Sequence, residues 1–218
     1  MAPTMTLYSY FRSSSSYRVR IALEHKGIKY DYKPVHLLQQ GGEQFLPEFT
    51  RINPGQQVPT LVHNNSVIAQ SMAILIYLED LKPEPQLFSS DPAEKAKIIE
   101  LCEIVNSRIQ PLQNLKVLKE VVSRYGLNED QKLEWAQFWI NDGLKALEGV
   151  LDKTAGKFSF GDSVTAADCF LVPQVYNAQR FSVDMNSYPH ISRVEKNCLE
   201  LQAFQKAHPS SQPDAPSN

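Results

Sequence analysis

The chain has 218 residues, with 22 Lys and Arg against 24 Asp and Glu and a formal net charge of −2. Residues 1–85 carry eight basic and seven acidic side chains and the remainder fourteen and seventeen, so neither half is the basic surface that bulk nucleic-acid binding needs. Hydrophobic residues at 42% and charged residues at 21% exclude a disordered chain and fit one large domain or two small ones.

Met5 to Tyr10 is aromatic and apolar and reads as a strand. Tyr17 to Lys26 is rich in helix formers and stops at Gly27, placed as a C′ glycine. Ile28 to Lys33 alternates apolar and polar residues, the pattern of a half-buried strand. This β-α-β unit predicts a right-handed crossover and parallel strands. Gly41-Gly42 breaks the chain, and Glu43 to Phe49 reads as a short helix. Val58 to Val62 and Val67 to Ala69 read as strands joined by the polar turn His63-Asn64-Asn65-Ser66. Ser71 to Leu81 follows as a helix with a serine near its cap. The order βαβ then ββα predicts a mixed four-stranded sheet with helices on its faces.

Lys82-Pro83-Glu84-Pro85 is a stiff, non-helical break, and no strand pattern follows it. Pro92 stands at a helix N1 position, with a long amphipathic stretch from Ala93. Asn128 is placed to cap a helix running to about Leu151. Thr165-Ala166-Ala167-Asp168 has the spacing of a capping box, with Val164 and Cys169 set for a hydrophobic staple. Pro173 inside that helix predicts a kink or an early end. The last predicted helix spans Ile191 to Phe204, and the polar, Pro-rich stretch from Pro209 to Asn218 is expected to be disordered. The expected organisation is an α/β domain over 1–82, a linker over 83–90, an all-helical domain over 91–208 and a disordered tail over 209–218.

The longest apolar run, Ala73 to Leu78, falls far short of the roughly 20 residues of a membrane span, and no secretory signal pattern is visible. Cys102, Cys169 and Cys198 are few and distant, which suits a reducing compartment and gives neither a disulfide framework nor zinc spacing. The five histidines form no i, i+4 pair. The expectation is a soluble, cytoplasmic, metal-free protein that binds neither nucleic acid nor membrane.

Three polar features stand out. Arg12-Ser13-Ser14-Ser15-Ser16 lies in the turn between the first strand and its helix, where free N–H groups and the helix dipole favour an anion. Serines there either cap the helix or hydrogen-bond a bound thiolate or carboxylate, and capping is the commoner use. In Gln57-Val58-Pro59-Thr60 a proline enters a strand. A cis Val58–Pro59 bond would turn the Val58 backbone toward a ligand; the trans isomer is the commoner one. Gln70-Ser71 heads a helix with an amide and a hydroxyl that either cap it or hold a carboxylate. The predicted topology puts all three at one end of the sheet.

Leu7 to Ser14 followed by Arg18-Val19-Arg20-Ile21-Ala22-Leu23 resembles the signature of the zeta-class glutathione transferases, the family of the maleylacetoacetate isomerases. Agreement extends through Asn53-Pro54, Gln57 to Leu61, Gln70 to Ile74, Ile109 to Leu115, Gly161-Asp162, the Thr165 to Asp168 box and Leu171 to Val175, covering about residues 5–208. The resemblance implies a thioredoxin-like glutathione-binding domain and an all-α domain that completes the acceptor site. It implies that Ser13, Ser14, Ser15, Ser16, Tyr17 and Arg18 frame the glutathione thiol, with Ser13, Ser14 and Ser15 as catalytic candidates. Val58, before a cis Pro59, would pair its backbone with the cysteinyl unit. Gln70 and Ser71 would hold the γ-glutamyl end and Gln44 the glycyl end. Gln110, Asn114, Leu115 and Lys116 would face the site from the helical domain, and Arg180 would grip a substrate carboxylate. It also implies a homodimer, a dicarboxylate-type small-molecule substrate, and glutathione-dependent cis-trans isomerisation of maleylacetoacetate to fumarylacetoacetate in phenylalanine and tyrosine breakdown.

The chain departs from the family at Ser15, where the family turn has a cysteine. The nucleophile would be the cofactor's own thiol, so the change removes an oxidisable side chain rather than the reaction. The alternatives are a glutathione transferase or dehalogenase acting on small electrophiles such as alpha-halo acids, and a non-catalytic module of the same fold. A thiol-disulfide oxidoreductase would need a cysteine at the helix start, and Ser13 to Ser16 contain none.

Overall fold

The computed structural model describes residues 5–216. The chain forms two compact units. One runs up to Leu87 and takes in the segment from Glu200 onward; the other is Phe88–Leu199.

The first unit is built on strands β1 (Thr6–Ser9), β2 (Asp31–Pro34), β3 (Thr60–His63) and β4 (Ser66–Ala69), with helices α1 (Ser14–His25), α2 (Pro47–Thr50) and α3 (Ser71–Leu81). The sheet order is β2-β1-β3-β4. β1 and β2 are parallel, as a β-α-β unit requires, whereas β3 lies antiparallel to both β1 and β4. Tyr8 pairs with Thr60, and Thr60 with Ala69. The end of β1, the start of β3 and the end of β4 therefore share one end of the sheet. Leu7, Val19, Leu23, Leu61, Ile74, Leu75 and Leu78 are fully buried and form the core between sheet and helices.

The second unit holds α4 (Pro92–Glu103), α5 (Leu115–Tyr125), α6 (Glu129–Thr154), α7 (Ala166–Arg180) and α8 (Pro189–Leu199). Asp91 and Asn128 cap α4 and α6, the latter in a full capping box with Gln131. Between α4 and α5 the chain makes a π-helical turn, Ile104–Ile109, then a 3₁₀ turn, Gln110–Gln113. A Cβ at Gly143 of α6 would stand 2.1 Å from Ile109 Cγ1, so only glycine lets the π-turn lie this close. Thr165 and Asp168 form the capping box of α7. Pro173 does not cut α7 short: the helix continues for two turns beyond it.

The end of the chain differs from expectation. The predicted helix over 191–204 is two helices, because Leu201 is extended between α8 and α9 (Gln202–Ala207). The segment from Glu200 belongs with the first unit rather than the helical one. Residues 209–216 of the expected disordered tail are ordered; residues 217 and 218 lie outside the described residues. Side-chain hydrogen bonding explains the order. Gln212 Nε2 donates to Lys206 O and His208 O, at 2.8 and 2.9 Å. The buried Arg20 Nε donates to Ala207 O at 3.0 Å. Composition alone does not reveal such partners.

The presumed linker is tied down as well. Lys26 Nζ, on a fully buried side chain, lies 2.6 Å from Glu79 Oε2. It donates to the carbonyls of Lys82, Pro83 and Pro85 at 2.7, 3.2 and 2.8 Å. Glu79 in turn accepts the N–H of Leu87. No helix of the described residues is long and apolar enough to cross a membrane.

Candidate active site

The β1–α1 turn opens the site. Ser13 is the N-cap of α1, and its Oγ accepts from Ser16 N–H at 3.2 Å. The capping use of the serine run is therefore real for Ser13, although its own O–H stays available as a donor. Capping leaves the N–H groups of Ser14 and Ser15 at the first turn, where a helix has no internal partners to offer. Ser13 and Ser15 are half-buried, and Ser14 is buried. These N–H groups, the hydroxyls and the positive helix end make a site for a thiolate or another anion.

The structure does not bring Ser16 and Tyr17 to this surface. Both are fully buried, because the turn of the helix carries them inward. Tyr17 OH reaches Phe204 O at 3.5 Å, and its ring meets the His208 ring edge-on at 6.0 Å. Tyr17 is a contact to the C-terminal segment.

Arg18 is also buried and crosses to the second helix start: Nη1 donates to Ser71 Oγ at 3.0 Å. Neither Gln70 nor Ser71 caps α3 with its side chain. Gln70 is exposed, holds a left-handed φ of 73°, and donates from Nε2 to Gln57 Oε1 at 3.3 Å. A non-glycine residue held at positive φ stores backbone strain and marks a candidate functional position.

The Val58–Pro59 peptide is cis. The loop before it is organised by Asn53, which sequence reading did not single out as a site residue. Its Nδ2 donates to Gln57 O and Thr60 Oγ1, both at 2.9 Å, and its Oδ1 accepts from Gly55 N–H. The spacing Asn-Pro-Gly was the available signal, since Asn before such a turn folds back on its own backbone. Gln44 lies on a 3₁₀ turn (Glu43–Phe45) and is buried, its amide packed over the Cα of Gly42. Val35 N–H bonds Ser9 O, so the 35–45 segment leaves the sheet from the same end.

The remaining expected residues lie in the helical unit. Gln110 opens the 3₁₀ turn, and Asn114 caps α5 through a 3.0 Å bond from Lys116 N–H to its Oδ1. Leu115 and Lys116 are exposed. The segment is anchored by Trp135 Nε1 on Leu112 O at 3.0 Å and by Gln113 Nε2 on Gln174 Oε1 at 2.8 Å. Arg180 is exposed at the end of α7, where it donates to Asn177 Oδ1 at 3.3 Å.

A four-stranded α/β unit with a cis-proline loop and two helix starts at one sheet end is the glutathione-binding architecture of the glutathione S-transferases. The family model described as "Glutathione S-transferase, N-terminal domain" matches residues 3–80. The chain is 49% identical over 210 residues to maleylacetoacetate isomerase of Mus musculus, covering 96% of this chain and 94% of that one. Among solved structures it is similar to the holo structure of maleyl pyruvate isomerase, a bacterial glutathione S-transferase in zeta class. That match has 40% identity and a TM-score of 0.93, and covers 97% of this chain and 100% of the other. It is also similar to maleylacetoacetate isomerase from Anaeromyxobacter dehalogenans 2CP-1 with dicarboxyethyl glutathione and citrate bound in the active site. There the identity is 44% and the TM-score 0.89, with 99% of each chain covered. This chain belongs to the zeta class of the glutathione S-transferases.

Proposed function

We propose that this protein is a glutathione-dependent cis-trans isomerase converting maleylacetoacetate to fumarylacetoacetate. The observation that carries the reading is the pair of helix starts at one end of the sheet, α1 with its serine run and α3 behind Gln70, tied together by the 3.0 Å bond from Arg18 Nη1 to Ser71 Oγ. One helix start suits a thiolate and the other a carboxylate of the same cofactor. The relatives support the chemistry: they are maleylacetoacetate and maleyl pyruvate isomerases, one holding a glutathione conjugate.

Glutathione bound at this end of the sheet supplies the nucleophilic sulfur; the protein has to hold and ionise it. Gln70 and Ser71 suit the γ-glutamyl end, the Val58 backbone the cysteinyl unit, and Gln44 the glycyl end. The helix start contributes roughly 0.3–2 kcal/mol toward the thiolate. A hydroxyl hydrogen bond to the charged sulfur adds roughly 1.5–3 kcal/mol. Together they lower the thiol pKa by roughly 1.5–3.5 units at about 1.36 kcal/mol per unit. Either one alone does not reliably suffice.

When bound, glutathione would supply covalent catalysis of a cis-trans isomerisation through its sulfur and would not be consumed. The hydroxyls and open N–H groups of the Ser13–Ser15 turn would hold that sulfur in its charged form. Ser15 needs no sulfur in this scheme. Arg180, Gln110, Asn114, Leu115 and Lys116 are the proposed acceptor-side residues, and homodimerisation and a cytoplasmic location are further parts of the proposal.

The test is turnover of maleylacetone with and without glutathione while free thiol is followed. Isomerisation that needs glutathione but leaves thiol constant is the expected result. Loss of thiol without isomerisation supports a conjugating transferase instead. Alanine at Ser13, Ser14 or Ser15 in turn should raise the bound thiol pKa by about 1–2 units only at the serine that donates to sulfur. Three variants that all match the wild type would remove the serine run from the mechanism.

A further inference from the structure

The backbone of Phe11, two residues before Ser13, is held by side chains at both its N–H and its C=O. Its N–H donates to Asp214 Oδ2 at 2.9 Å. Its C=O accepts from Arg20 Nη2 at 3.0 Å. Arg20 Nη1 also reaches Tyr10 O and Ser9 Oγ, at 3.3 and 3.2 Å. Arg20 comes from α1 itself, but Asp214 comes from the far end of the chain. The second carboxylate oxygen of Asp214 accepts from Tyr32 OH of β2 at 2.6 Å. Burial and the bond to Asp214 push the Tyr32 pKa up, so the phenol stays a donor. The segment carrying Asp214 is itself pinned through Gln212.

We infer that Asp214 is a positioning residue for the thiol-binding turn: through Phe11 it fixes the chain that presents the Ser13–Ser15 hydroxyls and the open N–H groups of α1. A charged acceptor forms a stronger bond to a backbone N–H than a neutral one. Thiolate stabilisation depends on hydroxyl and N–H placement to within a fraction of an ångström. Gln70 and Ser71 at the start of α3 and Val58 before the cis-proline make none of the Asp214 hydrogen bonds, which go to Phe11 N–H and Tyr32 OH. Its loss should therefore affect ionisation of the bound thiol far more than capture of glutathione. The inference rests on the assignment of the glutathione thiol to this turn.

The experiment titrates the ultraviolet absorbance of enzyme-bound glutathione thiolate in the wild type, Asp214→Ala, Asp214→Asn and Tyr32→Phe, alongside kcat, KM and thermal unfolding. Asp214→Ala should move the thiol midpoint to higher pH and lower kcat about tenfold, with KM for glutathione within about twofold. Asp214→Asn keeps one carbonyl oxygen for Phe11 N–H and should recover part of the loss. Tyr32→Phe should shift the midpoint in the same direction by less. A folded Asp214→Ala protein with the wild-type midpoint overturns the inference, as does a rise in KM with the midpoint unmoved. If Asp214→Ala does not fold, wild-type midpoints in both Asp214→Asn and Tyr32→Phe overturn it. A wild type with no thiolate band at all refutes the site assignment itself, whereas a normal band that ignores Asp214 refutes this inference alone.

Discussion

The two units bury charge of opposite sign. Among the described residues the first unit encloses Arg18, Arg20 and Lys26, each no more than 1% exposed, while the second encloses Asp168 at 0%. What the backbone leaves unpaired accounts for the difference. Around α1 the chain turns at Tyr10–Phe11 and again at Lys82–Pro85, leaving the carbonyls of Phe11, Lys82, Pro83 and Pro85 outside the strand and helix ladders. A buried cation with several N–H donors gathers them. At the start of α7 the unpaired groups are N–H donors, and one carboxylate gathers those of Ser159 and Thr165, both at 2.8 Å. Burial pushes the Asp168 pKa up and these bonds only partly offset it. Arg20, Lys26 and Asp168 each stand where irregular backbone must be held, and the sign of the charge follows the kind of group left over.

Breaking the cationic side should give the largest effect. Lys26→Met leaves Glu79 and three carbonyls short of a donor and should lower unfolding free energy by about 3–5 kcal/mol, measured by denaturant titration. A loss under 1 kcal/mol would mean that water replaces the amine and that the network is dispensable. Asp168→Ala tests the anionic side. With two buried N–H groups orphaned, the expected loss is about 2–4 kcal/mol, read as a drop in thermal midpoint. Losses in proportion to the groups orphaned, four for Lys26 and two backbone N–H groups for Asp168, would show that sign is irrelevant and only their number matters. Asp91→Ala sharpens the point, because Asp91 caps α4 at an exposed helix start. Water can replace its bonds, so the expected cost is only about 1 kcal/mol. Smallest is Glu120→Ala, which removes a wholly superficial i, i+4 ion pair with Arg124 and should change stability by less than about 0.5 kcal/mol. A larger change would place an unrecognised partner on that face.

The fold was largely legible because its signals are local. Gly27 ends α1, with its N–H bonded to Glu24 O and φ at 60°, as a C′ glycine does. Asn128 and Thr165 begin helices where their capping patterns place them. The four strands follow from short β-rich runs between turn residues, with ends displaced by up to three residues toward the hydrogen-bonding register. Of the proposed site, the serine run, Val58–Pro59 and Gln70–Ser71 stand out in the sequence by residue type, and the structure brings them to one end of the sheet. Residue type does not tell that Ser16 and Tyr17 are buried, because neighbours in sequence point to different sides of a helix.

By itself, the sequence determined the order of the strands and the main helices and the chemistry-bearing residue types, since caps, glycine stops and hydrophobic periods act within a few residues; it did not separate α8 from α9 or mark α5. Only the tertiary structure decided that Arg18 joins two helix starts, that Asn53 shapes the proline loop, that Lys26 locks the Pro83–Pro85 break, and that the polar C-terminal stretch is ordered. Those outcomes rest on single hydrogen bonds between residues as far as 203 positions apart. A buried side chain is chosen by which backbone group it can reach in space, and composition carries no record of that distance.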